Sequence, residues 1–176
     1  MNNVLVQLQT FPRPCGQRSR RKKSWVLALG GFGLLLISGF ACAAPNCTIS
    51  STAVSFGNYD PLSSTALTST GTLTFNCTSG VPGGGVPFTI SLNPGNSGTY
   101  SMRTLKSGSN TLNYNLYTDA SDTTVWGDGS PGTGTVTGNY PKNSPPVNAL
   151  VYAFLPALQD AVPGSYSDSI TATVTF

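Results

Sequence analysis

Across residues 44–176 the side chains able to do chemistry are few: Asp60, Asp119, Asp122, Asp128, Asp160 and Asp168, the cations Arg103, Lys106 and Lys142, tyrosines, and the pair Cys47 and Cys77. The whole chain has no histidine and no glutamate. General acid–base catalysis would fall to aspartate, lysine or tyrosine, and a nucleophilic serine would lack its usual base. Asp119, Asp122 and Asp128 are close enough in sequence to converge on Ca²⁺, but an EF-type loop would end in glutamate. Aspartates in Gly/Ser/Thr-rich stretches more often accept backbone N–H bonds in turns. Gly83-Gly84-Gly85 precedes neither a helix nor Lys-Ser/Thr, so it is no phosphate loop. These residues point away from an enzyme and imply no cofactor and no metal.

Residues 1–43 read as a Sec-type signal peptide. Arg13, Arg18, Arg20, Arg21, Lys22 and Lys23 form a basic region, Val26 to Phe40 an apolar stretch, and Ala41-Cys42-Ala43 a small-x-small cleavage site. The apolar run is shorter than the roughly 20 residues of a membrane span, so no span is expected after cleavage. Six of the nine basic residues lie in this segment, and residues 44–176 carry a net charge of −3. The basic isoelectric point of the full chain therefore says nothing about nucleic acid, and none is expected as a partner. Cys47 and Cys77 remain in the exported part. The expected state is one disulfide, which would contribute roughly 3–4 kcal/mol in the chain-entropy model; two free buried thiols are the alternative.

The elements that must position these residues are strands. Tyr166 to Phe176 alternates without interruption: Asp168, Ile170, Ala172, Val174 and Phe176 on one face, serine and threonine on the other. Further strands are expected over Cys47 to Phe56, Thr70 to Thr78, Val86 to Asn93, Tyr100 to Lys106, Thr111 to Thr118, Thr123 to Trp126, Thr133 to Tyr140 and Val147 to Leu155. Arg103 and Lys106 place their strand near a solvated edge. Trp126, beside Gly127-Asp128-Gly129, is a candidate surface contact, with a ring packed on the sandwich as the structural alternative. Short strands at about ten-residue spacing with no helical period predict an all-β, antiparallel immunoglobulin-like sandwich over residues 44–176. Nothing follows Phe176 to pair with the last strand, so the sandwich is expected to lack its final strand and to present an open groove. Ile49, Val54, Phe56, Ile170, Ala172, Val174 and Phe176 are expected to line it.

The succession Cys47…Phe56-Gly57-x-Tyr59-Asp60-Pro61…Cys77, Tyr114-Asn115-Leu116-Tyr117-Thr118-Asp119, Trp126-Gly127-Asp128-Gly129 and Pro163-Gly164-x-Tyr166-x-Asp168 resembles the spore coat protein U domain family. That family includes subunits of archaic chaperone–usher pili. The resemblance spans Cys47 to Phe176. It departs at Tyr152-Ala153-Phe154-Leu155-Pro156, where the family often carries Tyr-Gly-Arg-Ile-Pro. It implies a pilus subunit with a periplasmic chaperone, an outer-membrane usher and neighbouring pilins as partners, passing through the periplasm to a surface fibre or the extracellular space. A role in adhesion or biofilm formation follows from the same resemblance. A donated strand would bury four or five apolar side chains, roughly 6–15 kcal/mol. After cleavage at Ala43 only three residues precede Cys47, about 10 Å of chain, which suits a subunit that accepts a strand but gives none, as at a fibre tip. The alternative is a secreted, self-complete coat or matrix protein.

Overall fold

Alternating β-branched and aromatic residues make every long regular element of the described chain a strand. The structure is a computed structural model, and it describes residues 2–12 and 44–176. Ten strands follow in order: β1 (Asn2–Phe11), β2 (Asn46–Thr52), β3 (Val54–Gly57), β4 (Leu67–Ser79), β5 (Val86–Leu92), β6 (Arg103–Ser107), β7 (Asn110–Tyr117), β8 (Val136–Tyr140), β9 (Val147–Leu155) and β10 (Ser167–Thr175). A single 3₁₀ turn, Gly95–Ser97, lies between β5 and β6.

One layer is β2-β4-β9-β7, antiparallel throughout. The other holds β8-β5-β10-β1-β3. β6 joins them, pairing along β7 and meeting β10 at Lys106↔Ser167. Alternate residues from both layers fill one core, in which Phe75 packs against the rings of Phe88, Tyr140 and Phe176 at centroid distances of 4.8, 5.8 and 5.6 Å.

The expected first strand, Cys47 to Phe56, divides at Ala53. Its first part pairs with β4 in one layer, and its second with β1 in the other. The crossing runs tightly over β4 at Gly71, where a Cβ would stand 2.9 Å from Val54 Cγ2 and 3.0 Å from the Thr52 carbonyl oxygen. Elsewhere the strands shift at their ends: Tyr100 to Met102 is not extended, and β8 begins at Val136. Thr123 to Trp126 contributes only isolated bridges, Tyr117↔Val125 and Trp126↔Gly134. Cys47 and Cys77 stand opposite one another on β2 and β4 and are joined as a disulfide.

Two expectations about water are corrected. Arg103 is 0 % exposed, because β6 is an inner strand and its guanidinium finds four acceptor contacts. Trp126 is likewise buried and is no surface contact; its indole N–H donates to the Ile90 carbonyl at 3.1 Å.

The basic region, the apolar stretch and the cleavage site of the expected signal peptide lie outside the described residues. Asn2–Phe11, counted with that segment from the sequence, is a strand of the second layer.

Candidate functional site: the groove beside the last strand

β10 is the last strand of the chain, and its two edges are covered differently. On one side β5 pairs antiparallel over Ala172–Thr175. Along its other edge β10 pairs with β1. Here the structure corrects the expectation of an open groove: this polypeptide fills it.

β1 runs parallel to β10 in unbroken register, from Asn3↔Ser167 to Phe11↔Thr175. The Asn3 N–H donates to the Tyr166 carbonyl at 3.1 Å, and the Phe176 N–H donates to that of Phe11 at 3.3 Å. The opposite wall is β3, which pairs antiparallel with Asn2–Val4 only. Alternation explains the fit. Val4, Val6 and Leu8 face the core opposite Asp168, Ile170 and Ala172, while Leu5, Gln7 and Gln9 face out. Only Val4 of the three is completely buried. The equivalent of about two full side chains gives roughly 3–6 kcal/mol, near half of what a strand with five buried apolar residues would supply.

Of the groove residues expected from sequence, Ile170, Ala172, Val174 and Phe176 lie on the inward face of β10, all buried. Val54 and Phe56 lie buried on β3, with Val54 opposite Val4. Ile49 does not belong to this wall. It sits on β2 opposite Phe75, half-buried against the core, because the strand changes layers after Thr52. At the Asn2 end a cleft of about 240 Å³ opens among Asn2, Tyr59, Leu112, Val162 and Tyr166.

Beneath the groove is a polar cluster that sequence reasoning missed. Asp168 is buried on β10 and accepts from the Tyr114 hydroxyl at 2.7 Å and from the N–H groups of Asn96 at 2.9 Å and Ser169 at 2.7 Å. Gly95, at φ +67°, leaves room for this carboxylate; a Cβ there would collide with it and with Ile170 Cδ1 at 2.7 Å. Arg103 donates to Asn115 Oδ1 and the Trp126 carbonyl, both at 2.6 Å, and to the Asn93 carbonyl at 3.0 Å. Burial pulls the Arg103 guanidinium below its ordinary pKa, and burial, with the Asp168 charge beside it, pushes the Tyr114 phenol well above its own. The signal was present in Tyr114-Asn115 and Tyr166-x-Asp168, whose polar residues interrupt otherwise apolar faces. The buried polar side chains of this cluster all find hydrogen-bond partners, and the network ties β6, β7 and β10 together inside the core.

The three aspartates considered for calcium occupy turns. Asp119 accepts from the backbone N–H groups of Ser121, Thr123 and Thr124, and these hold its carboxyl below the usual carboxylate range. Asp128 accepts from the Ser130 N–H at 2.9 Å, and the Ser130 hydroxyl together with that N–H holds its carboxyl below the usual range. Among the described residues no group of three metal-binding side chains converges. No helix among them is long and apolar enough to cross a membrane.

The family model of the Spore Coat Protein U domain matches residues 32–173. This chain belongs to that family. Among solved structures the chain is similar to one in the crystal structure of the CsuC–CsuE chaperone–tip adhesion subunit pre-assembly complex from archaic chaperone–usher Csu pili of Acinetobacter baumannii. The identity is 23 % and the TM-score 0.46, covering 75 % of this chain and 40 % of that one. The spore coat U chain thus spans well under half of that relative, and a likeness so distant does not bear on function. No curated protein matches the chain.

Proposed function

We propose that this spore coat U domain protein is a non-catalytic structural subunit of a surface fibre assembled by the chaperone–usher route, and that the groove between β10 and β3 is where a partner's strand binds. The observation that carries this reading is the occupant of the groove. The place beside β10 is filled by a strand separated from the rest of the domain by residues 13–43. Residues 44–176 alone supply no strand for it. A site that takes an extended guest by backbone pairing and alternate side chains is suited to strand addition. Its partners would be a periplasmic chaperone, an usher and neighbouring subunits, and its destination the cell surface through the Sec route. Adhesion and biofilm formation are the matching roles.

Placement in the fibre depends on the mature N-terminus. Cleavage after Ala43 leaves a chain able to accept a strand but not to give one, which suits the tip. Retention of Asn2–Phe11 supplies a strand to give and suits the shaft. Mass spectrometry of the exported protein decides between them.

The test of the groove is Ile170→Asp in the exported protein co-produced with its chaperone. A carboxylate at this buried position of β10 should abolish co-purification with the chaperone and incorporation into fibres while export continues. Normal incorporation would refute the reading. A second reading, a secreted coat or matrix protein complete in itself, is favoured by β1 already filling the groove. A stable monomer produced without any chaperone and retaining residues 2–11 would support it.

A further inference from the structure

The layer β2-β4-β9-β7 has a second face, turned away from the core, and the groove makes no use of it: the groove lies between β10 and β3 of the other layer. On β9 alternation sends Ala149, Val151, Ala153 and Leu155 inward, where they are buried, and Leu150, Tyr152 and Phe154 outward. Leu150 is 47 % exposed, and Tyr152 and Phe154 are half-buried. Leu150, Tyr152 and Phe154 pair with Thr72, Thr70 and Thr68 of β4, so each has a threonine beside it. Successive outward residues on one strand stand about 7 Å apart.

At one end of this strip the turn after β7 borders a cleft of about 370 Å³, whose lining includes Thr68, Thr70, Ala120, Asp122 and Tyr152. Asp119 fixes the turn by accepting the N–H groups of Ser121, Thr123 and Thr124. Asp122 reaches the rim from a left-handed backbone, at φ 54°. Unlike those of Asp119 and Asp128, its carboxylate accepts no hydrogen bond among the described residues, and burial, then the Asp119 charge, raises its pKa. A partly desolvated carboxylate with uncommitted oxygens is suited to donors brought from outside.

The chemistry of the face selects its ligand. The rings of Tyr152 and Phe154 call for a flat apolar surface, and the threonine hydroxyls and Asp122 call for polar groups at its edge. The centre of a protein interface would be apolar and cleared of charge, whereas here hydroxyls alternate with rings. The cations of residues 44–176 lie elsewhere, Arg103 in the core, Lys106 on β6 and Lys142 between β8 and β9, so an acidic ligand would meet only the repulsion of Asp119 and Asp122. A pyranose, with an apolar C–H face and a rim of hydroxyls, satisfies every one of these conditions.

We propose that the outer face of β4 and β9, rimmed by Asp122, is a binding platform for a neutral polysaccharide, with Tyr152 and Phe154 against the sugar rings and the Asp122 carboxylate accepting from their hydroxyls. The platform is independent of the groove and serves a fibre subunit or a coat protein equally.

The test titrates the exported, oxidised protein by calorimetry with cellohexaose, with N-acetylchitohexaose, and with an alginate hexamer as the acidic counterpart. At least one neutral oligosaccharide should bind, and alginate should not. Tyr152→Ala should weaken the neutral ligand about tenfold. Asp122→Asn keeps the side-chain shape and tolerates the left-handed backbone; it should weaken binding about fivefold with circular dichroism unchanged. If Tyr152→Ala does not fold, Asp122→Asn carries the test. Undiminished affinity in the folded variants would place the sugar elsewhere and overturn the platform. Alginate bound as tightly as the neutral sugars would overturn the ligand class. No binding of any of the three would overturn the proposal and leave the groove reading standing.

Discussion

The Tyr114 hydroxyl donates a 2.7 Å hydrogen bond to Asp168 Oδ2, tying β7 to β10 inside the core directly beneath the strand in the groove. Asp168 stands opposite Val4 in the β1 register, so the floor of the groove is held in place by a buried carboxylate to which no cation among the described residues is hydrogen-bonded. Tyr114→Phe removes one of its donors. It should lower unfolding stability by about 1–3 kcal/mol, the usual cost of an orphaned buried acceptor, read as a lower urea midpoint at unchanged slope.

The same pair sets an alkaline limit. The Tyr114 phenol is raised in the folded state, whereas in the unfolded chain it ionises near its ordinary value of about 10. A raised folded pKa means that the stabilisation is fully present below about pH 10 and is lost as pH rises beyond it. The melting temperature should be level from pH 7 to about pH 9 and fall between about pH 10 and 11. Tyr114→Phe should flatten that fall. An equal decline in both proteins would place the titrating group elsewhere.

Arg103 should be irreplaceable by lysine. Its guanidinium serves Asn115, Trp126 and Asn93 at once, reaching acceptors on three segments in one plane. An ammonium is a compact point charge without that fork. Arg103→Ala should cost about 3–5 kcal/mol, as for a buried network that loses one partner, and Arg103→Lys should recover little of it. Recovery of more than half by lysine in a urea titration would show that charge alone suffices.

The Cys47–Cys77 bond closes a loop of 30 residues in sequence separation. Cys47→Ser/Cys77→Ser should lower stability by roughly 3–4 kcal/mol. Reducing agent should destabilise the wild type by the same amount and leave the double variant unchanged.

Strand identity was legible where one face is wet. Ser167–Thr175 alternates cleanly because its outward serines and threonines meet solvent or a ladder and its inward residues meet the core. Arg103 was misread because charge alone was weighed. Its acceptors, Asn93, Asn115 and the Trp126 carbonyl, come from distant segments that only the fold brings together. Ile49 was misplaced because alternation gives the facing of a residue but not the layer, and the layer changes at Ala53. The wall of the groove on β10 followed from the alternation of Ile170, Ala172, Val174 and Phe176. Its occupant did not, because Val4, Val6 and Leu8 precede a strongly basic stretch that drew the whole segment into a signal peptide. Among the described residues that short alternation behaves as any other strand.

The disulfide also decides where the domain resists tension. The chain from residues 13–43 enters the domain at Asn46, one residue before Cys47, and Cys47 is bonded to β4. A pull on the N-terminal side therefore passes almost at once into two covalently coupled strands. Unzipping of β2 from its first residue is blocked at the outset, and the load must instead shear the ladder between β4 and β9 along nine residue pairs. A molecule drawn taut in flowing liquid would thus resist along a long antiparallel ladder rather than at a fraying end.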